Sequence, residues 1–217
     1  MPPVSVRHVA APARYDSPLA KEPLTMAVES TMELALGTRA PDFALPDTVS
    51  DRTIRLADFA ASPALLVAFL CNHCPYVIHV RPGFVDFARE YQPRGLAVVA
   101  ISANDPQAYP QDGPEQMKLE ARRSGFTFAY LFDESQATAR AYRAACTPDF
   151  YLFDAGQRLV YRGRFDASRP NSQVPVTGAE LRAAADAVLA GRTVAADQKA
   201  SIGCGIKWKS GPDPAST

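Results

Sequence analysis

Cysteine is the residue type in this 217-residue chain whose spacing could support chemistry. Cys71 and Cys74 are separated by two residues in the stretch Phe-Leu-Cys-Asn-His-Cys-Pro, and His73 directly precedes the second cysteine. A cysteine thiolate is a nucleophile and also a ligand for soft metal ions. The pair could therefore belong to a metal site, to a peroxide-reducing site or to a dithiol that exchanges disulfides.

The residues around the pair predict a strand that leads into a helix. The apolar run ALLVAFL over 64–70 is typical of a strand buried on both faces. Residues 72–92 have helical spacing, and Pro82-Gly83 within them predicts a kink or two consecutive helices. We therefore expect the cysteine pair to lie at the start of a helix.

A helix N-terminus favours a thiolate, because its unpaired N–H groups and its dipole stabilise negative charge. We expect Cys71 to be the thiolate that attacks a disulfide and Cys74 to resolve the resulting mixed disulfide. His73 lies between them and is expected to stabilise the thiolate further. Asp112, in the loop over 103–114, either shapes the rim of the site or only forms a turn.

The remaining patterns alternate strands and helices, which predicts an α/β fold with a parallel core. A hairpin over 149–165 adds antiparallel strands, so the sheet should be mixed. The last helix, over 177–191, begins with an expected capping box from Thr177 to Glu180. Three regions follow from these patterns: a flexible N-terminal extension (1–34), one domain (35–191) and a C-terminal tail (192–217).

Composition excludes several classes of function. The 23 basic and 23 acidic residues cancel, so no net charge favours nucleic acid or an anionic membrane. No apolar run approaches the ~18 residues of a membrane span, and the N-terminus lacks the apolar core of an export signal, so the expected location is the cytoplasm. No Gly-rich phosphate loop follows a strand, so no cofactor is expected.

A structural zinc site needs two ligands beyond the cysteine pair. His79, Cys146 and Cys204 are the candidates, but no second C-x-x-C or H-x-x-x-H motif is present. The sequence therefore predicts no metal site. A protein that holds a soft metal through Cys71, Cys74 and Cys146 remains an alternative.

The tail contains the stretch SIGCGIKWK, in which Gly203 and Gly205 flank Cys204. Glycine permits close backbone approach to another surface, and Ile202, Ile206 and Trp208 supply apolar anchors. We expect the tail to dock onto the domain around 201–209, with Cys204 within reach of Cys146. The alternative is an exposed thiol on a loosely held terminus.

Several stretches carry a family resemblance that covers about 35–209. These are GTRAPDFALPD (37–47), VAFLCNHCP (67–75), SANDPQAYPQDGPEQM (102–117), CTPDFYLFDAGQRLVYRGRF (146–165) and SIGCGIKWK (201–209). Together they resemble the redoxin (AhpC/TSA) branch of the thioredoxin superfamily and its peroxiredoxin-like thioredoxin proteins. The resemblance implies a thioredoxin-like mixed β-sheet with helices on both faces, an N-terminal β extension and a C-terminal tail.

The resemblance also implies roles for individual residues. Cys71 matches the attacking cysteine and Cys74 the resolving one. Pro148 matches a cis-proline that packs against the dithiol, and Thr147 matches the residue whose backbone binds the partner chain. Cys146 is then close to the dithiol, where it is a candidate additional redox residue, as is Cys204; the alternative for Cys146 is a small buried apolar residue.

The sequence departs from the family's patterns in ways that bear on activity. Asn-His replaces the Gly-Pro of strong thioredoxins, and the hydroxyl residue of the peroxiredoxin pattern Pro-x-x-x-Thr/Ser-x-x-Cys is missing, because Ala68 lies three residues before Cys71. The predicted function is therefore thiol–disulfide exchange with protein or small-molecule disulfides and thiols. The alternatives are a thiol peroxidase with an antioxidant role and a soft-metal-binding protein.

Overall fold

The central feature of the computed structural model, which describes residues 27–210, is a mixed five-stranded sheet. Its strand order is β6-β5-β4-β8-β9, where β4, β5 and β6 are parallel and β8 and β9 are antiparallel to their neighbours. These strands are β4 (Ala64–Phe69), β5 (Leu96–Ser102), β6 (Ala129–Phe132), β8 (Asp149–Asp154) and β9 (Leu159–Gly163). The predicted hairpin and the mixed sheet are confirmed.

Two smaller sheets complete the strands. The first is the hairpin of β2 (Ala44–Pro46) with β3 (Thr53–Arg55). The second joins three segments that are far apart in sequence: β1 (Val28–Glu29), β10 (Ile202–Gly205) and β7 (Cys146–Thr147), in the order β1-β10-β7. The tail therefore lies between the start of the described chain and the segment that precedes Pro148.

Four α-helices cover the central sheet. They are α1 (Pro75–Tyr91), α2 (Pro114–Ser124), α3 (Ala137–Ala141) and α4 (Ala179–Leu189). Short 3₁₀ turns are formed by Leu56–Phe59, Gln92–Arg94 and Pro110–Asp112. Within residues 27–210 we find no helix with the length and apolar character needed to cross a bilayer.

The alternating side chains of β4 divide the core into two layers, because successive residues of a strand face opposite sides of the sheet. Ala64, Leu66 and Ala68 pack with apolar residues of α1, α2 and α4. Leu65, Val67 and Phe69 pack with α3 and the β2–β3 hairpin. Helices thus lie on both faces, and both layers bury the strand that ends at the cysteine pair.

The predicted interruption of the first helix is wrong in one respect, since α1 continues through Pro82 as a single helix. Its apolar face is held against the core by Phe84 and Phe87, which both pack on Phe165. Gly83 allows this close approach, because a Cβ there would meet Val176 at 2.9 Å. Packing on this face therefore outweighs the hydrogen bond that proline removes.

The N-terminus of α4 also differs from the prediction. Thr177 and Glu180 form no capping box; the residue before the helix is Gly178, in the left-handed region at φ 70°. The Asp166 carboxylate accepts hydrogen bonds from the N–H groups of Thr177 at 2.7 Å and Gly178 at 2.6 Å. Glu180 instead pairs with Arg164.

The described part of the N-terminal extension differs from the predicted flexible terminus, because it pairs with the tail. Residues 1–26 and 211–217 lie outside the described residues. Within the predicted extension 1–34, Val28 and Glu29 pair with the tail strand, and the Ser30 N–H donates to the Ser201 carbonyl at 2.8 Å. The division of the chain at residues 34 and 191 stays a prediction.

Candidate active site

The two cysteines lie where β4 gives way to α1. The strand ends at Phe69 and the helix begins at Pro75, whose fixed φ suits the first helical position. Cys74 is consequently the residue that precedes the helix, with extended backbone angles, and Cys71 lies in the turn before it. The expectation that Cys71 lies at the helix N-terminus is wrong by three residues.

Thr147 lies opposite the cysteine pair and contacts both sulfurs. The Thr147–Pro148 peptide bond is cis, as the resemblance implies. The Thr147 hydroxyl is 3.3 Å from the Cys71 Sγ, and the Cys74 Sγ is 3.2 Å from the Thr147 carbonyl oxygen. The structure therefore brings together Cys71, Cys74, Thr147 and Pro148, which the sequence separates by more than 70 residues.

The tail brings a third sulfur to the same place. Strand β10 pairs antiparallel with β7, so that Cys204 lies across from Thr147. The thiol and the backbone N–H of Cys204 both donate to the Cys74 sulfur. The expected neighbour, Cys146, lies across from Gly205 and its sulfur is directed toward the Pro148 carbonyl oxygen at 4.0 Å. Cys204 thus approaches Cys74 rather than Cys146, because neighbouring residues of β7 face opposite sides.

A buried carboxylate orients the histidine of the motif. The Asp112 side chain is fully buried and accepts hydrogen bonds from the Asn72 N–H at 2.8 Å and the Asn104 amide at 2.8 Å. Its Oδ2 lies 2.6 Å from the Nδ1 of His73. The hydrogen-bonding atoms of Cys71, His73 and Asp112 all lie within 4.8 Å of one another.

Asp112 is the site residue whose role the sequence left undecided between the rim of the site and a turn. It lies in a 3₁₀ turn of the loop after β5, about 40 residues from the cysteine motif, so nothing local distinguishes it from a turn-forming aspartate. The available signal was its place after a parallel strand adjacent to β4. Loops at the carboxyl ends of neighbouring parallel strands meet at one edge of the sheet.

The ring of His73 packs on the loop that carries Asp112, and the tail in turn contacts this loop. The His73 ring stacks on that of Tyr109, with centroids 5.3 Å apart and planes 10° apart. The Lys207 ammonium lies over the Tyr109 ring, 5.4 Å from its centroid. The Lys207 backbone N–H donates a hydrogen bond to the Oδ1 of Asn104 at 2.8 Å. Loop and tail thus fix the histidine on the side of Cys71.

The two sulfurs have opposite acidities. Burial raises the pKa of Cys71 well above its usual value, and the neighbouring Cys74 and the charge of Asp112 raise it further. Burial also disfavours the Cys74 thiolate, but hydrogen bonds from Cys204 and from Cys71 outweigh burial, and the pKa of Cys74 is lowered. The stabilised thiolate is therefore Cys74, whereas the sequence led us to expect Cys71.

Both sulfurs are covered in this structure, since Cys71 is 2% exposed and Cys74 is not exposed at all. His73 is the more accessible neighbour, with 19% of its side chain exposed. It lines a surface cleft together with Asn72, Gln111, Gln116, Leu119, Glu120 and Arg123. This cleft is thus lined by the two residues of the motif that follow Cys71.

The other candidate residues lie apart from this cluster. His79 bonds to the Ser168 hydroxyl at 2.7 Å and lines a different depression. Cys146 is fully buried, and burial raises its pKa. Among residues 27–210, the one group of three side chains with ligand atoms close enough for a metal ion is Cys71, His73 and Asp112, not the set of Cys71, Cys74 and Cys146 considered as an alternative.

Comparison with known proteins is consistent with this geometry. Two solved structures are similar over most of the chain. An uncharacterized conserved protein from Geobacillus kaustophilus is 51% identical, with 85% of this chain and 97% of that chain covered and a TM-score of 0.83. A hypothetical protein from Sinorhizobium meliloti 1021 is 52% identical, with 84% and 99% covered and a TM-score of 0.82.

More distant structures share the fold. A putative thiol:disulfide interchange protein DsbE from Chlorobium tepidum is 23% identical, with 59% of this chain and 84% of that chain covered and a TM-score of 0.51. A search of curated proteins returned no match. The AhpC/TSA family profile matches residues 36–162, more than half of the chain. The chain therefore belongs to the AhpC/TSA family.

Proposed function

We propose that the protein is a thiol–disulfide oxidoreductase that uses Cys71 and Cys74 as its redox pair. Both sulfurs contact Thr147, the residue directly before the cis-proline, and this observation carries the proposal. Two thiols that share one neighbour are close enough to oxidise and reduce as a pair. The partners are disulfides and thiols of proteins or small molecules.

In the first step, the Cys71 sulfur attacks a partner disulfide from the side of the cleft. Its proton passes to the His73–Asp112 pair, whose ring nitrogen and carboxylate oxygen lie within 4.8 Å of the Cys71 sulfur. A bond forms between Cys71 and one partner sulfur, and the other partner sulfur leaves as a thiolate. The raised pKa of Cys71 makes this proton transfer necessary at neutral pH.

In the second step, the Cys74 thiolate attacks the Cys71 sulfur of the mixed disulfide. The Cys71–Cys74 bond forms, and the second partner sulfur leaves as a thiolate. The dithiol has then lost two electrons and the partner disulfide has gained them. The hydrogen bonds that lower the pKa of Cys74 keep its sulfur ionised for this attack.

Reduction of insulin and of a small disulfide, with dithiothreitol as the electron source, tests the proposal. Cys71→Ser and Cys74→Ser should each lower both rates at least ~100-fold, because a single thiol cannot complete the exchange. Cys146→Ser is the matched control, since Cys146 is equally buried but lies outside the contacts of the pair. Equal rates for wild type and both active-site variants would contradict the proposal.

A thiol peroxidase is a second candidate, favoured by one contact. The sequence lacks the hydroxyl residue of the peroxiredoxin pattern, yet the Thr147 hydroxyl lies 3.3 Å from the Cys71 sulfur and could bind a peroxide there. Cys71 would then reduce the hydroperoxide to an alcohol and become a sulfenic acid, which Cys74 condenses to a disulfide and water. Thr147→Val should abolish peroxide consumption and spare insulin reduction if this candidate is correct.

Metal binding is a third candidate, favoured by the proximity of Cys71, His73 and Asp112. A thiolate, an imidazole and a carboxylate suit zinc. The Asp112 oxygens already accept three hydrogen bonds from protein groups, which makes a metal unnecessary for their burial. Metal analysis of the purified chain separates the candidates: a stoichiometric ion that is lost in His73→Ala would favour this one.

A further inference from the structure

The tail places a cysteine directly beside the redox pair. Cys204 lies across from Thr147 in the pairing of β10 with β7, and its thiol and N–H both contact the Cys74 sulfur. It belongs to the same buried cluster as Cys71 and Cys74. Three sulfurs therefore meet at one point, and Cys74 lies between the other two, in contact with each.

Backbone hydrogen bonds hold the tail in place on both sides of Cys204. The Ser30 N–H bonds to the Ser201 carbonyl at 2.8 Å, and the Ile206 N–H bonds to the Ala145 carbonyl at 3.1 Å. Gly203 permits the approach, since a Cβ at this position would overlap the Thr147 carbonyl oxygen. The tail is thus held so that Cys204 faces Cys74.

We propose that Cys204 is a third redox thiol, which exchanges with the oxidised Cys71–Cys74 pair to form a Cys74–Cys204 disulfide. This step rests on the proposed function, because that function supplies the disulfide that Cys204 attacks. The sulfur of Cys204 bonds to that of Cys74, and the Cys71–Cys74 bond breaks. Cys71 leaves with the electron pair and takes up the proton that Cys204 lost.

The exchange neither gains nor loses electrons, since one disulfide is present before and after it. Its product differs in two respects from the Cys71–Cys74 form. Cys71 becomes a thiol again, beside the cleft and the His73–Asp112 pair. The tail becomes covalently attached to the residue that starts α1. An oxidised protein can therefore present a reduced Cys71 to a second partner.

Cys146 is the control cysteine for this inference. It lies on β7 beside Thr147 and is fully buried, as Cys74 is. Its sulfur is directed toward the Pro148 carbonyl oxygen, and it makes none of the hydrogen bonds at the Cys74 sulfur. Burial without this contact should not lead to a disulfide.

The first test is disulfide mapping of the Cys71→Ser full chain by mass spectrometry after mild oxidation with diamide. The main product should join Cys74 to Cys204. It should persist in Cys71→Ser/Cys146→Ser and disappear in Cys71→Ser/Cys204→Ser. A product that joins Cys74 to Cys146, or only disulfides between two chains, would overturn the inference.

The second test needs no substitution at Cys71. After oxidation, wild type should show both the Cys71–Cys74 and the Cys74–Cys204 disulfides. In the second form Cys71 should be alkylated when iodoacetamide is added to the denatured chain, in which the buried thiol is exposed. Cys204→Ser should lower the alkylation of Cys71 at least ~10-fold, since Cys71 then stays in the disulfide. Oxidised wild type with Cys71–Cys74 alone would refute the role of Cys204 and leave the oxidoreductase proposal standing. Failure of the proposed function would appear separately, as no insulin reduction and no Cys71–Cys74 disulfide.

Discussion

Cys71 and Cys74 are three residues apart, yet their sulfurs lie in contrasting surroundings. Burial, the neighbouring Cys74 and the charge of the Asp112 carboxylate all favour the neutral thiol of Cys71. Cys74 receives hydrogen bonds from Cys204 and Cys71, so its thiolate is favoured. The negative charge of the pair therefore belongs to the sulfur that the tail contacts.

The contrast arises from segments far from the motif. Asp112 comes from the loop after β5, and Cys204 comes from the tail. A C-x-x-C motif at the start of a helix fixes only that two thiols are close, whereas distant groups decide which of them ionises. The following variants act on one side of the pair at a time, in order of decreasing expected effect.

Gly203→Ala should have the largest effect, since it displaces the tail from Cys74. The new Cβ would overlap the carbonyl oxygen of Thr147, a backbone atom that cannot move aside. We expect a loss of about 3 kcal/mol in the free energy of unfolding, measured by urea denaturation, together with a rise in the pKa of Cys74.

Gly205→Ala is the matched control on the same strand. Its Cβ would meet the end of the Val28 side chain at 3.3 Å, which can shift, and the Ala145 carbonyl oxygen at 3.9 Å, an ordinary contact distance. It should cost less than about 1 kcal/mol. Equal losses for the two variants would show that the close approach at Gly203 is not what holds the tail.

Asp112→Asn tests the other side of the pair by removing the charge near Cys71 while keeping the shape of the side chain. The carboxylate lies within 4.8 Å of the Cys71 sulfur, a separation at which two charges interact by about 3 kcal/mol in partly screened surroundings. The pKa of Cys71 should therefore fall, since the charge of Asp112 is one of the causes that raise it. The pH dependence of thiolate absorbance measures the pKa of Cys71. Asp105→Asn, in the same loop, is the control and should leave this pKa unchanged.

The buried Asp149 should make the free energy of unfolding depend on pH, and this dependence tests the contacts beside the tail. Asp149 follows Pro148, is fully buried and accepts hydrogen bonds from Ser30 at 3.1 Å and Tyr151 at 2.8 Å. Burial raises its pKa from 3.8 to about 6. The folded chain therefore binds this proton more tightly than the unfolded chain, and the stability that protonation contributes is lost as pH rises through about 6.

Asp149→Asn should remove this dependence. Relative to the variant, wild type should gain about 2 kcal/mol of unfolding free energy between pH 7 and pH 4, as measured by urea denaturation at both values. Asp154→Asn, at the other end of β8, is the control and should follow wild type. A wild-type advantage that grows with rising pH would have the wrong sign for a buried, protonated Asp149.

Much of the fold was predictable because its signals are local. The buried run at 64–70, the helix over 114–125 and the hairpin over 149–165 each carry their own periodicity or turn residues, and all three are confirmed. The cis bond before Pro148 was available only from the family resemblance. The start of α1 was misjudged because apolar spacing does not reveal that Pro75 begins the helix.

The chemistry of the site was less predictable, because it depends on pairings across long separations. The sequence favoured docking of the tail through its glycines and apolar residues, but it could not give the register that sets Cys204 across from Thr147. A shift of one residue would direct Cys204 to the other face of the strand. The choice between Cys74 and Cys146 as its neighbour therefore required the structure.

Cys204→Ala should have the smallest of these effects, since it removes one donor and keeps the tail strand in place. A hydrogen bond to a charged group contributes about 1.5–3 kcal/mol, and the backbone N–H of residue 204 remains to bind the Cys74 sulfur. We expect the pKa of Cys74 to rise by about 1 unit, measured by thiolate absorbance, and the surroundings of Cys71 to stay unchanged.

Cys146→Ala separates this effect from a general change in packing, because it removes a buried sulfur of the same size from the neighbouring strand. If it raises the pKa of Cys74 as much as Cys204→Ala does, then burial rather than the tail thiol sets the charge of the pair. If only Cys204→Ala does so, the acidity of Cys74 is a property that the tail confers. The tail strand would then be part of the active site, although it lies 130 residues from Cys74 in the chain.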